Sequence, residues 1–358
     1  MASIPIPRRY HRIVYLPSKH DDSHLEVLLS IPTTISSTSP QLYTGVVIAH
    51  PYGPLGGSYN NNVVGALLQW FETQPLQVKS EETGNVNLSS STRESRKTSS
   101  VPLECVIAAF NFRGSGKSKG KTSWTGEAER QDYQTVVDFL QSGTRATPLG
   151  ASTERHDSGT GTPASTKVYD ETGEEIDPPR LPSMSRFILA GFSYGGLVAS
   201  TIPPPLRFTA SPESGHLPTS YIFVSYPAGV AWFLTTGYQG SFFQRAKTIL
   251  LGENIPSDSN SDGTIPKPST AKVEAFFISG SEDQFTSPTT LMNWLKINAG
   301  MSPPASQNNA GPASWAVTRP DGAIHVEVLD GVDHFWLDKE QKLLGALKNW
   351  WNDCHPVS

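Results

Sequence analysis

The sequence predicts the α/β class: an eight-stranded, mostly parallel sheet with helices on both faces and polar inserted loops. Two observations predict the class. Near-continuous apolar runs recur along the chain, and such runs suit strands buried on both faces. Between them apolar residues fall at helical spacing, and strands alternating with helices imply parallel crossovers. A third observation, a Gly-x-Ser-x-Gly passage between a strand and a helix, places the chemistry.

Taken in order, His11–Leu16 and Leu25–Ile31 read as an opening antiparallel pair. Gly45–Ala49, Cys105–Phe110 and Phe187–Ala190 read as buried parallel strands. Tyr221–Val224, Val273–Ile278 and His325–Leu329 bring the strands to eight. Val63, Val64, Leu67, Leu68 and Phe71 mark one helical face, and Tyr133, Val136, Val137 and Leu140 mark another. Leu343, Leu344, Leu347, Trp350 and Trp351 mark the last helix. Three stretches, 77–100, 143–183 and 254–270, are rich in Ser, Thr, Gly and Pro with almost no large apolar side chains. Such stretches bury too little surface to offset ordering entropy, so disordered or loop inserts are expected there. Without them about 275 residues remain, which suits one domain over 1–358.

Composition narrows the function classes. The 358 residues hold 28 Lys+Arg and 33 Asp+Glu, a net charge of −5, which leaves no basic footprint for nucleic acid. Two cysteines, Cys105 and Cys354, make neither a disulfide framework nor a cysteine-based metal site. No apolar run reaches the roughly 20 residues of a membrane span. The start, Met1–Pro7, lacks the charged and apolar blocks of a signal peptide. The expectation is a cytoplasmic protein of unknown oligomeric state.

The passage Phe187–Ser200 contains Gly191, Ser193 and Gly195 directly after a strand and directly before an apolar helix start. A serine on a sharp strand-to-helix turn projects its hydroxyl at the sheet edge, and glycines keep side chains clear. The helix start behind it turns backbone N–H groups toward a developing oxyanion. By composition alone three fixed residues at about 7% each would match by chance roughly once in ten such chains. The strand–turn–helix context makes chance a poorer explanation.

The partners must follow in the order Ser, acid, His. The strand ending Phe277-Ile278 runs into Ser279-Gly280-Ser281-Glu282-Asp283, where Asp283 is the expected acid and Glu282 the neighbour to exclude. The strand ending Val328-Leu329 runs into Asp330-Gly331-Val332-Asp333-His334, which puts His334 at the same edge as general base. His11, His20 and His24 precede the serine, His156 and His216 lie in polar stretches, and His355 lies beyond the last helix. The loop His50–Gly57 follows the third strand and is expected to supply the Tyr52 N–H, opposite that of Tyr194, as oxyanion donors. His50 is expected to brace that loop.

Asn111–Ser118 offers a rival. Gly116-Lys117-Ser118 resembles a phosphate-binding loop, but Asn111 stands where that motif needs glycine. Arg113 is instead expected to pin its loop by pairing with an acid such as Asp132. Trp232, Phe233, Phe242 and Phe243 read as core or as the lining of an acyl pocket.

With these residues in view, the chain resembles the α/β-hydrolase superfamily, and more narrowly its small "predicted hydrolase" members. The resemblance rests on the His50-Pro51 to Gly56-Gly57-Ser58 loop, the Phe110-Asn111-Phe112-Arg113-Gly114 segment, and Gly126, Glu127 and Asp132 after it. It covers nearly the whole chain outside the inserts. It implies an α/β-hydrolase fold, the Ser193–Asp283–His334 assignment, no cofactor and no metal. The elbow is also similar to that of prolyl-oligopeptidase-like peptidases, whose propeller domain the residues before the third strand are too few to form. The expected function is a serine hydrolase, carboxylesterase-like, acting on a small-molecule ester or acyl substrate. A non-catalytic binding protein of this fold and an acyltransferase using the same triad are the alternatives.

Overall fold

An antiparallel pair opens the chain: β1 (Arg9–Pro17) and β2 (His24–Pro32) pair from Arg9 opposite Pro32 to Pro17 opposite His24. The structure, a computed structural model, describes residues 8–33, 42–74, 77–79, 100–142, 167–207, 215–253, 273–302 and 314–356. Next come β3 (Leu42–Ala49), α1 (Asn62–Thr73), the short β4 (Gln77–Lys79), β5 (Ser100–Phe110) and α2 (Glu127–Ser142). A small hairpin, β6 (Val168–Tyr169) and β7 (Glu175–Ile176), precedes β8 (Met184–Phe192) and α3 (Tyr194–Ala199). The remainder is β9 (Thr219–Val224), α4 (Ala231–Leu234), α5 (Gln239–Leu251), β10 (Val273–Gly280), α6 (Pro288–Ala299), β11 (Trp315–Thr318), β12 (Ile324–Leu329) and α7 (Glu340–Cys354).

The strands lie in the order β11-β12-β10-β9-β8-β3-β5-β2-β1-β6-β7, with β4 beside β5. From β5 through β3, β8, β9 and β10 to β12 every neighbouring pair is parallel, and the flanks are antiparallel. All eight expected strands are there. The four additional ones, β4, β6, β7 and β11, run two to four residues, too short for periodicity to reveal.

One expectation changes, at parts of two of the three stretches: at the ends of 77–100, residues 77–79 form β4 and pair antiparallel with residues 100–102 of β5 rather than belonging to a loop. Within the stretch 143–183, residues 167–183 are described, and they join the sheet instead of looping away from it. Tyr169 pairs with Tyr15 and stacks on His24 with ring centroids 4.3 Å apart, while Val168 and Leu181 are buried. A few apolar contacts suffice because the edge they dock on is already built. Residues 80–99, 143–166 and 254–270 of the expected inserts lie outside the described residues.

Helices cover both faces. On one, Tyr133, Val136, Val137 and Leu140 of α2 pack with α3, α5 and α6 over the sheet. On the other, Val63, Val64, Leu67 and Phe71 of α1 pack with Leu343, Leu347 and Trp350 of α7. Each such side chain, fully buried, contributes about 2 kcal/mol. The aromatic quartet divides: Phe242 is buried and Phe243 partly so, whereas Trp232 and Phe233 are exposed. A mostly parallel sheet with an antiparallel opening, helices on both faces and a sharp turn between β8 and α3 is the α/β-hydrolase fold.

The loop after β5 is pinned as expected. Arg113 donates from Nε and Nη2 to the two Asp132 oxygens at 2.9 and 2.6 Å, with Asp21 and Ser18 completing its contacts. Both partners are buried. Removing one leaves the other charge stranded, so Asp132→Ala should lower the unfolding free energy by roughly 3 kcal/mol. Urea unfolding checks this, and a loss under about 1 kcal/mol, the range of a surface pair, would contradict it.

Candidate active site

Parallel strands bring their C-terminal ends to one edge, and every expected site residue lies on the turns that leave it. Between β3 and β8 the chain also reverses the direction in which it adds strands: β5 joins one side of β3 and β8 the other. Crevices in α/β sheets open at such a switch point. The loop after β3 and the turn after β8 therefore face each other.

Ser193 occupies that turn with φ 52° and ψ −118°, a left-handed conformation that L residues rarely adopt. Its surroundings enforce it. Ser193 N–H donates to Val224 O at 2.8 Å. A Cβ at Gly191 would stand 2.2 Å from the Gly195 carbonyl carbon, and one at Gly195 would stand 2.5 Å from Ala49 O. Both contacts are impossible for a side chain, so strand, turn and helix close only with glycine at those positions.

His334 Nε2 lies 2.9 Å from Ser193 Oγ, and His334 Nδ1 lies 2.8 Å from Asp283 Oδ2. A carboxylate can only accept, so Nδ1 carries the proton and Nε2 is left to accept from the serine hydroxyl. All three residues are buried. Asp283 is held in turn: its Oδ1 accepts from Phe285 N–H and Thr286 N–H, each at 2.9 Å. Glu282 is exposed, and its N–H donates to Val332 O. Asp333 Oδ1 accepts from Phe335 and Trp336 N–H at 3.0 Å, while Asp330 is exposed and meets Ser281. Asp283, the acid expected from the order of the chain, is the carboxyl group that meets the His334 imidazole.

The histidine loop has its own anchors. His334 N–H donates to Gln284 Oε1 at 3.2 Å, and the imidazole stands edge-on to Phe285 at 4.5 Å. Two residues on, fully buried Trp336 takes φ 61° and donates its indole N–H to Ser225 Oγ at 2.9 Å. Ser225 itself has φ 47° and follows Val224, the acceptor of the Ser193 N–H. One strand end thus receives both the serine turn and the histidine loop. Sequence reasoning missed this brace, because no local pattern marks a tryptophan for a left-handed backbone.

Tyr52 and Tyr194 sit side by side, their rings 5.2 Å apart at 71°. Tyr194 N–H opens α3, where the helix itself offers no acceptor. His50 braces the loop as expected. Its Nδ1–H donates to Pro51 O at 2.5 Å, and its Nε2 accepts from Phe112 N–H at 2.9 Å. Complete burial lowers its pKa to about 4, so it is neutral near pH 7. Glu129 is a second residue missed from sequence, since charged positions on an amphipathic helix read as solvated. It is buried, accepts from Ser123 N–H at 2.7 Å and from Ser123 Oγ, and burial holds its carboxyl above the ordinary range.

The phosphate-loop rival has a physical answer. The buried Glu26 carboxylate accepts from Lys117 N–H at 2.8 Å and from Asn111 Nδ2 at 2.7 Å. Ser118 Oγ donates to Asn111 O at 2.7 Å, and the Lys117 ammonium pairs with Glu171. The donors that would cradle a phosphate are taken by an internal anion. Among the described residues no cluster of three or more His, Cys, Asp or Glu could hold a metal, and no helix is long and apolar enough to cross a membrane.

No protein-family model and no curated protein matches this chain. Among solved structures it is similar to the lidless α/β serine hydrolase XC6422 of Xanthomonas campestris, at 16% identity and TM-score 0.48 over 99% of this chain and 100% of that one. An α/β serine hydrolase homologue from Coxiella burnetii gives 16% identity and TM-score 0.46, covering 97% of this chain and 99% of that one. The Pyrococcus furiosus esterase Pf2001 gives 13% and 0.46, covering 96% and 91%.

The buried His50 sets a pH dependence. Its folded pKa, about 4, lies below the ordinary value of 6.5. Between those values the unfolded chain binds a proton that the folded chain refuses, so this contribution is intact above pH 6.5 and lost as pH falls toward 4. The loss should approach about 3 kcal/mol. Urea unfolding at pH 7 and pH 4.5, for the native chain and for His50→Gln, tests it: the native chain should lose more than the variant, and equal losses would contradict it.

Proposed function

We propose that this protein is a serine hydrolase that cleaves a carboxylic ester, thioester or amide through an acyl-enzyme on Ser193. The observation that carries the reading is the continuous chain Ser193 Oγ, His334 Nε2, His334 Nδ1, Asp283 Oδ2, with links of 2.9 and 2.8 Å on a left-handed serine turn. That the described elements share one sheet supports reading the chain as a single domain.

In the proposed reaction Ser193 Oγ attacks the carbonyl carbon while His334 Nε2 takes the hydroxyl proton. The carbonyl oxygen becomes an oxyanion that accepts from the Tyr52 and Tyr194 N–H groups. His334, now charged, is stabilised by the Asp283 carboxylate. It returns the proton to the leaving oxygen, sulfur or nitrogen, and the acyl group stays on Ser193. Water then enters, His334 removes its proton as it attacks, and collapse frees the acid and restores the serine. In this reading each charge that appears has an assigned partner among the residues named.

The acid is the most exposed assignment, and amide variants test it. Asp283→Asn should lower kcat on one ester about 10⁴-fold, because the tautomer and the imidazolium lose their partner. Glu282→Gln, Asp330→Asn and Asp333→Asn should each stay within about tenfold of the native rate, as removal of solvated or turn charges does. A near-native Asp283→Asn beside a collapse in another variant would move the acid there.

A further inference from the structure

Large apolar side chains gathered in water at one place on a chain mark a surface with an occupant. Among the described residues most of the exposed ones lie on the edge that carries Ser193. Leu55 follows β3, Trp124 follows β5, and Trp232, Phe233 and Tyr238 follow β9. Phe335 and Leu337 follow β12. The remainder are scattered: Tyr10 and Ile13 on β1, Leu206 before β9, Ile297 on α6.

Contacts tie the aromatic members to the serine turn. The helix α4, which carries Trp232 and Phe233, packs against α3, which begins at Tyr194. Thr236 Oγ1 donates to Trp124 O at 2.6 Å, joining the segment after α4 to the loop after β5. Two residues beyond Trp124, a Cβ at Gly126 would lie 3.1 Å from the Tyr194 hydroxyl and 2.8 Å from the Phe242 ring. Trp124 and Trp232 are 79% and 60% exposed, so the packing of this rim is unfinished on its outer side.

Charge says what suits it. The stretches 51–71, 187–206 and 221–244, which carry Leu55, Trp232, Phe233 and Tyr238, contain no Asp, Glu, Lys or Arg, whereas the outer loops carry exposed Lys121 near Trp124 and Asp338 beside Leu337. Glu127, at the start of α2, is taken by Arg130 and Arg245. A substrate bearing a carboxylate, phosphate or ammonium group would find no partner in those stretches and would lose its hydration.

We infer that this rim seats a large uncharged apolar group of the substrate, a long alkyl chain or an aryl group, with Trp232 and Phe233 setting the preference. The inference rests on the ester-hydrolase reading and adds the substrate class to it. Apolar area buried against the rim strengthens binding with each methylene added. Where that contact tightens in the transition state it raises kcat/KM.

The test compares the full chain with Trp232→Ser, Phe233→Ser and the remote control Ile297→Ser on p-nitrophenyl acetate, butyrate, octanoate and dodecanoate. All four esters are kept below the concentrations at which they aggregate. The native chain and the control should gain kcat/KM as the acyl chain lengthens. Each rim variant should lose about tenfold on dodecanoate and less than about twofold on acetate. Equal losses at every length, no loss, or a native preference for acetate would overturn the inference and leave the Ser193 reading standing. A native chain that turns over none of the esters and takes no fluorophosphonate label would overturn both. Gel filtration and sedimentation with phosphatidylcholine vesicles complete the set. If the rim variants lose self-association or vesicle binding yet keep the native chain-length profile, the rim is an interface and the inference falls.

Discussion

Ser193 holds a left-handed backbone, φ 52° with ψ −118°, and the architecture around the site is arranged so that this one residue has nowhere else to go. A conformation of that kind costs of order 1–3 kcal/mol and persists only where the surroundings over-determine it. Here they do so from three sides. The missing side chains of Gly191 and Gly195 let β8, the turn and α3 close on the end of β3, and the Val224 carbonyl at the end of β9 receives the serine N–H. Parallel β3, β8 and β9 are hydrogen-bonded neighbours, so the turn is clamped by the sheet itself.

The same clamp extends to the other two members. Ser225, next after Val224, donates its N–H to Ile278 O of β10, the strand that leads to Asp283. Its hydroxyl receives the Trp336 indole from the histidine loop. Gly280 lets that loop press against the end of β10, since a Cβ there would lie 1.9 Å from Val332 O. Relative placement of Oγ, imidazole and carboxylate is thus fixed by backbone bonds and close approaches rather than by the three side chains alone. Burial then strengthens the links between them, because each buried polar atom would otherwise be left without a partner.

Much of this was legible in the sequence because it depends on local pattern. Strands buried on both faces declare themselves as apolar runs, and a sharp turn that needs two glycines around a serine has a short signature. Order along the chain then selected Asp283 and His334 from many acids and histidines. What stayed hidden depends on contacts between distant segments. The β6–β7 hairpin has too few residues to show a period, and only the finished β1 edge gives Val168 and Tyr169 something to pack on. Trp232 and Phe233 look like core by composition, but α4 turns Ala231 and Leu234 inward and leaves them outside. The Ser225–Trp336 pair joins positions 111 residues apart, so no sequence window contains both ends, and Glu129, although its partner Ser123 is only six residues away, is buried by packing that its own helix pattern does not reveal. In the segment Asn111–Ser118 the sequence sets a phosphate loop aside, because Asn111 stands where glycine is needed, but it could not show that the same loop wraps the distant Glu26 side chain instead.

Covalent chemistry at Ser193 is the claim on which the functional reading stands. Mass spectrometry of the protein quenched during turnover of a slowly deacylated ester tests it most directly. The acyl-enzyme reading requires a mass gain equal to the acyl group, mapped to the peptide that contains Ser193 and absent from Ser193→Ala. Turnover of the ester with no adduct at any time, or an adduct that persists in Ser193→Ala, would contradict it.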